Sequence, residues 1–170
     1  SIWLENKTIK IIDQTKLPYE FSIIELESLE DFCRAIEHMT VRGAPLIGVT
    51  AALGLAKSIY KNPKDSNIFK SYEKLLKTRP TAVNLKWAIE KIKNQSLKYN
   101  IDERGDIAIK LAIRIMKNDI ESCKRIGTYG LEIIKKIYSK NRKTINILTH
   151  CNAGWLATVD YGTALSPIFF

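Results

Sequence analysis

Little in this sequence would place it outside the ordinary globular class. Its 170 residues include only 8 Gly and 5 Pro, too few for a collagen-like, low-complexity or disordered chain. The three cysteines, Cys33, Cys123 and Cys151, lie far apart with no Cys-x-x-Cys pair, which argues against a disulfide framework and a structural zinc site. With only His38 and His150 beside them, no transition-metal site is expected. No apolar run is long enough to span a bilayer, and the opening SIWLENKTIKIIDQ lacks the basic-then-apolar pattern of a secretory signal. These absences predict a cytoplasmic protein with no membrane partner.

What is present is a chain 45% hydrophobic and 26% charged, with a net charge of +9. That is enough apolar material for a real core. The excess charge admits nucleic acid, a membrane surface or small anions as partners. Its lysines are dispersed along helical segments, as on a solvated surface. Aromatic RNA-binding motifs, basic-zipper heptads and zinc-finger spacings are missing, so nucleic acid is not the expected partner.

The first elements read as strands. Ile2–Leu4 and Thr8–Ile12 flank the polar turn Glu5-Asn6-Lys7, and Tyr19–Leu26 follows Lys16-Leu17-Pro18. Helices then take over. Ser28-Leu29-Glu30-Asp31 fits a capping box with Asp in place of Glu. Pro45 opens a second, small-residue-rich helix through about Tyr60. A third ends at Arg79-Pro80, and a fourth, starting near Pro80, carries Trp87, Ile89 and Ile92. Asp102 to Lys140 is helical throughout, with Ile107, Leu111, Ile115, Ile120, Ile126, Leu131 and Ile134 as core positions; a bend is expected near Gly127 or Gly130. Thr144–Thr149 (TINILT) suits a buried parallel strand. The expected fold is α+β: a small antiparallel sheet and helical bundle over residues 1–140, then the first strand of a second, incomplete domain over 141–170.

Three segments could meet an anion. In Val41-Arg42-Gly43-Ala44-Pro45, Pro45 places the preceding residues at a helix N-terminus, with free amides and the positive dipole end. Gly43 permits close approach, and the Arg42 guanidinium matches phosphate. Thr78-Arg79-Pro80-Thr81 again sets an arginine beside a helix start. His150-Cys151-Asn152-Ala153-Gly154 follows a strand end, where open α/β sheets bind ligands. Each arginine taken alone is more often a cap or a surface ion-pair partner, and Cys33 and Cys123 read as buried apolar residues. A direct His150–Cys151 pair is not expected, since neighbours on a strand point to opposite sides. His38 reads as a surface residue at a helix C-terminus. Residue spacing alone therefore reaches only as far as a phosphate-ligand domain.

The same segments carry a family likeness. MTVRGAPLIGVTAALGLA, RPTAVNLKWA and ILTHCNAGWLATVDYGTALSPI resemble, in order and spacing, the signatures of methylthioribose-1-phosphate isomerases, and the opening with DQTKLP looks like that family's start. The likeness runs along essentially all of this chain, which corresponds to about the first half of a typical member. It implies an aldose–ketose isomerase of methionine salvage that converts 5-methylthioribose 1-phosphate to 5-methylthioribulose 1-phosphate without metal or organic cofactor. It implies a Rossmann-like C-terminal domain after the sheet and bundle, and a dimeric assembly. By resemblance Arg42, Gly43, Ala44 and Arg79 hold the substrate, and Cys151 lies at the reacting carbons as a catalytic residue or transition-state stabiliser. The family's catalytic aspartate belongs to the C-terminal domain and matches no position here; Asp160 is not that residue. This chain is accordingly expected to need a homo-oligomer or a separate C-terminal half. Ribose-1,5-bisphosphate isomerases and the non-catalytic regulatory subunits of initiation factor 2B share these features in part. Retention of Arg42, Arg79 and Cys151 together favours the methylthioribose branch.

Overall fold

A computed structural model describes residues 1–170, the side chain of Asn141 excepted. Three strands, β1 (Ile2–Glu5), β2 (Thr8–Ile12) and β3 (Ile23–Leu26), form an antiparallel sheet in the order β1-β2-β3. Ile11 of β2 faces Ile2 on one side and Ile24 on the other. Ile2, Ile9, Ile11 and Leu26 of the sheet join the core of the helical body. Strand β3 starts later than the sequence predicts. Tyr19 and Glu20 instead donate their amides to the Lys16 carbonyl in a turn, and the Tyr19 and Phe21 side chains are exposed.

Five helices follow: α1 (Leu29–Glu37), α2 (Ala44–Lys61), α3 (Asp65–Thr78), α4 (Val83–Ser96) and α5 (Arg104–Asn141). The Ser28/Asp31 capping box forms in both directions, satisfying two of the amides a helix start leaves without partners. Helix α2 is buried nearly all round, from Leu46 to Ile59, as expected of a central helix whose small residues let neighbours approach. At Gly54 a Cβ would lie 2.7 Å from the Phe32 ring of α1. At Gly48 it would lie 3.0 Å from the Asn84 carbonyl of α4. Helix α4 starts after a turn in which Ala82 N–H donates to the Arg79 carbonyl, so Pro80 precedes the helix and does not open it.

Helix α5 runs as one helix of 38 residues through both glycines. No bend is needed, because the glycines serve as seats. A short C-terminal helix, α6 (Ser166–Phe169), packs there, with Pro167 against Gly130 and Phe170 against Gly127. The core side of α5 is carried by Ala108, Ala112, Ile115 and Cys123. Ile126, predicted as core, is exposed, and so is half of Trp87 on α4, which borders an open hollow beside α2.

The predicted strand at Thr144–Thr149 does not form. Residues 144–150 have no regular structure, and Leu148 is 97% exposed. A parallel strand exists only by pairing, and the single sheet among the described residues lies at the other end of the sequence. No helix is long and apolar enough to cross a membrane.

Candidate functional site

The first predicted segment sits where helix α2 begins. Gly43 is its N-cap at φ +97°, and Pro45 occupies the first turn. Only glycine suits this backbone, because left-handed φ is strained for other residues. Space adds a second reason: a Cβ on Gly43 would come within 2.5 Å of the Ala157 Cα and carbonyl oxygen. Ala44 is exposed in front of this start. Arg42, also exposed, donates one bond of 3.3 Å to the Gln14 carbonyl, which leaves most of its donors free for an anion.

The second segment lies alongside. Arg79 is the half-buried C-cap of α3, and its guanidinium makes no hydrogen bond or ion pair among the described residues. The close Gly48–Asn84 approach sets the first turn of α4 against that of α2. Next to this contact is an open hollow of about 220 Å³, lined by Pro45, Asn84, Trp87, Asn118, Asp119 and Ser122 among others. The starts of α2 and α4 therefore border one mostly apolar depression with a few polar groups at its wall, and neither Arg42 nor Arg79 lines it. Sequence reasoning missed Asn84, Asn118 and Ser122. Asn84 lies inside the quoted RPTAVNL motif, and Asn118-Asp119 is a polar pair within an otherwise apolar stripe.

The third segment passes over the first. Gly154 (φ +105°) leads into a short 3-10 turn, Trp155–Ala157. Ala157, Thr158 and Val159 are buried against the body. Thr158 braces the loop internally, its hydroxyl accepting from Gly162 N–H at 3.2 Å. Cys151 itself is exposed, at φ +66°. Its sulfur is 3.2 Å from His150 Nδ1, contrary to the sequence expectation. The alternation that would separate neighbouring side chains applies to strands, and here the backbone is left-handed instead. No hydrogen bond links Cys151 to Arg42 or Arg79 among the described residues.

The other two thiols differ physically. Cys33 and Cys123 are buried, and burial pushes each thiol up to about 11. Since the thiolate is the reactive form, alkylation of the native protein at about pH 8 is expected to modify one fast thiol, Cys151. Peptide mass mapping of the labelled cysteine checks this, with all three reacting after denaturation. No three His, Cys, Asp or Glu side chains gather as metal ligands would among the described residues.

Comparison with known proteins shows the chain's family and fold. The initiation factor 2 subunit family matches residues 40–166. Methylthioribose-1-phosphate isomerase from Escherichia coli is 47% identical over 99% of this chain and 47% of its own length. The enzyme of the same name from Cereibacter sphaeroides is 46% identical over 99% of this chain and 46% of its own. The crystal structure of 5-methylthioribose 1-phosphate isomerase from Pyrococcus horikoshii superposes with a TM-score of 0.83 at 39% identity, covering 97% of this chain and 47% of that one. The delta subunit of translation initiation factor eIF-2B from A. fulgidus gives 0.80 at 35% identity, over 99% and 49%. The chain spans about half the length of the relatives it matches.

Proposed function

This chain belongs to the initiation factor 2 subunit family, and we propose that it is the substrate-holding N-terminal half of a methylthioribose-1-phosphate isomerase acting in methionine salvage. The observation that carries this reading is the likeness to enzymes of that name along almost the whole chain, motif segments included. The likeness to an initiation-factor subunit supports a shared fold, and the joint presence of Arg42, Arg79 and Cys151 favours the enzyme.

The chemistry gives each residue a task. An aldose whose C1 carries phosphate cannot open spontaneously to an aldehyde. Its ring must be opened with acid–base help before hydrogen moves from C2 to C1. Arg42, the amides at Gly43 and Ala44, and Arg79 hold the phosphate at the two helix starts. That fixes the reacting carbons. Cys151, projecting from the loop that crosses the first helix start, is the catalytic residue beside those carbons. The second proton-transfer group comes from a Rossmann-like C-terminal domain whose first residues are 141–170. Neither metal nor organic cofactor is required.

The test is conversion of 5-methylthioribose 1-phosphate to its ketose by this chain, alone and mixed with a separately expressed C-terminal half of a relative. Turnover that needs both parts is expected. A folded mixture that binds the sugar phosphate and never converts it would refute the enzyme reading.

A further inference from the structure

Two polar side chains, the buried Gln14 and the half-buried Asp119, grip the loop that passes over the start of α2. Gln14, 2% exposed, follows β2 and bonds through its main chain and through its side-chain amide nitrogen. Its N–H donates to the Thr40 carbonyl at 3.0 Å, and its carbonyl accepts from Arg42. Its side-chain Nε2 donates to the Leu156 carbonyl at 2.7 Å. On the opposite flank Asp119, midway along α5, accepts the Val159 N–H through Oδ2 at 2.8 Å. Burial raises this carboxyl above its ordinary range, while the Val159 bond works against that rise. A half-buried carboxylate in an apolar stripe of a long helix is costly unless it has such a partner.

Between these two anchors the loop is stiff. Thr158 closes it through its hydroxyl, and Gly162 lies so near Gly154 that a Cβ would come 2.4 Å from the Gly154 carbonyl carbon. A stiff loop fixed at Leu156 and Val159, and pressed onto Gly43 through Ala157, has little freedom left. The segment that leads back to Cys151 starts from this fixed end.

We propose that Gln14 and Asp119 are positioning residues, which lock the Gly154–Gly162 loop onto the start of α2 and so set where Cys151 stands relative to Arg42. The assignment rests on the isomerase reading for its consequence and on geometry for its mechanism. Gln14 belongs to the DQTKLP stretch and acts through main-chain partners, whereas Asp119, in the middle of α5, also lines the hollow beside the starts of α2 and α4.

Amide hydrogen exchange of the full chain decides the mechanism. Asp119→Ala should speed exchange over residues 156–162 by about tenfold or more, the scale of a lost charged hydrogen bond, while α2 and the first half of α5 stay protected. Asp119→Asn, which keeps an acceptor, should restore most of the protection. Gln14→Glu keeps the size and loses the donor, and should loosen the loop as Gln14→Ala does. Unchanged exchange in Asp119→Ala, or loosening spread evenly over the whole chain, would overturn the lock. In the two-part turnover assay Asp119→Ala should lower kcat about tenfold with KM little changed, and Asn should rescue it. A loosened loop with undiminished kcat would overturn the positioning role. If the unaltered mixture is silent, the isomerase reading falls, and exchange alone still decides whether the lock exists.

Discussion

Replacing Cys151 with alanine should lower turnover by the combined halves about 10²- to 10⁴-fold, the range of a lost proton-transfer group. The thiol is exposed and away from the core, so the melting temperature should hardly move. The effect should appear in kcat more than in KM, because the proposed phosphate grip lies at Arg42 and Arg79. Cys123→Ala is the control. That side chain is buried, and truncating it removes packing from α5, so stability should fall while the chemistry of the folded fraction persists. Steady-state kinetics beside thermal melts separate the two. Full activity in Cys151→Ala would take the thiol out of the mechanism.

Gly43→Val should damage the fold and the site together. Left-handed φ at a β-branched residue costs about 1–3 kcal/mol, and here backbone atoms of Ala157 stand 2.5 Å from where the new carbon must go. Neither the first turn of α2 nor the Trp155–Ala157 turn can yield cheaply, since Gln14 holds Leu156 within that turn and Asp119 holds Val159 just after it. A fall in melting temperature of about 5–10 °C follows for a chain of this size, along with loss of sugar-phosphate affinity. The same change at Ala44, exposed and on a normal helical backbone, should be mild. Circular-dichroism melts of both variants make the comparison. Equal stability would mean that the loop is not seated on Gly43.

The helical bundle was readable because its signals are local. The Ser28/Asp31 box, Pro45 in the first turn of α2 and the apolar period of α5 each act over a few residues. What failed depends on partners distant in sequence. TINILT has the composition of a strand, and composition cannot supply the neighbour a strand requires. Ile126 keeps the helical period, but by that point α5 has passed beyond α2 and turns its other side to α6. Gly127 and Gly130 read as weak points of a helix, whereas they are seats for Phe170 and Pro167. Of the proposed site, Arg42, Gly43 and Arg79 were legible from the charge–proline grammar of helix starts. The roles of Gln14 and Asp119 were not, because each consists of one bond to a main-chain atom far along the chain.

The central claim is that this chain itself carries the phosphate grip of a sugar-phosphate site. Isothermal titration of the chain with 5-methylthioribose 1-phosphate, and with the same sugar lacking phosphate, tests it most directly. Binding that requires the phosphate, and that weakens by about tenfold or more in both Arg42→Ala and Arg79→Ala, is the predicted result. Binding of both sugars alike, or affinity indifferent to the two arginines, would contradict it.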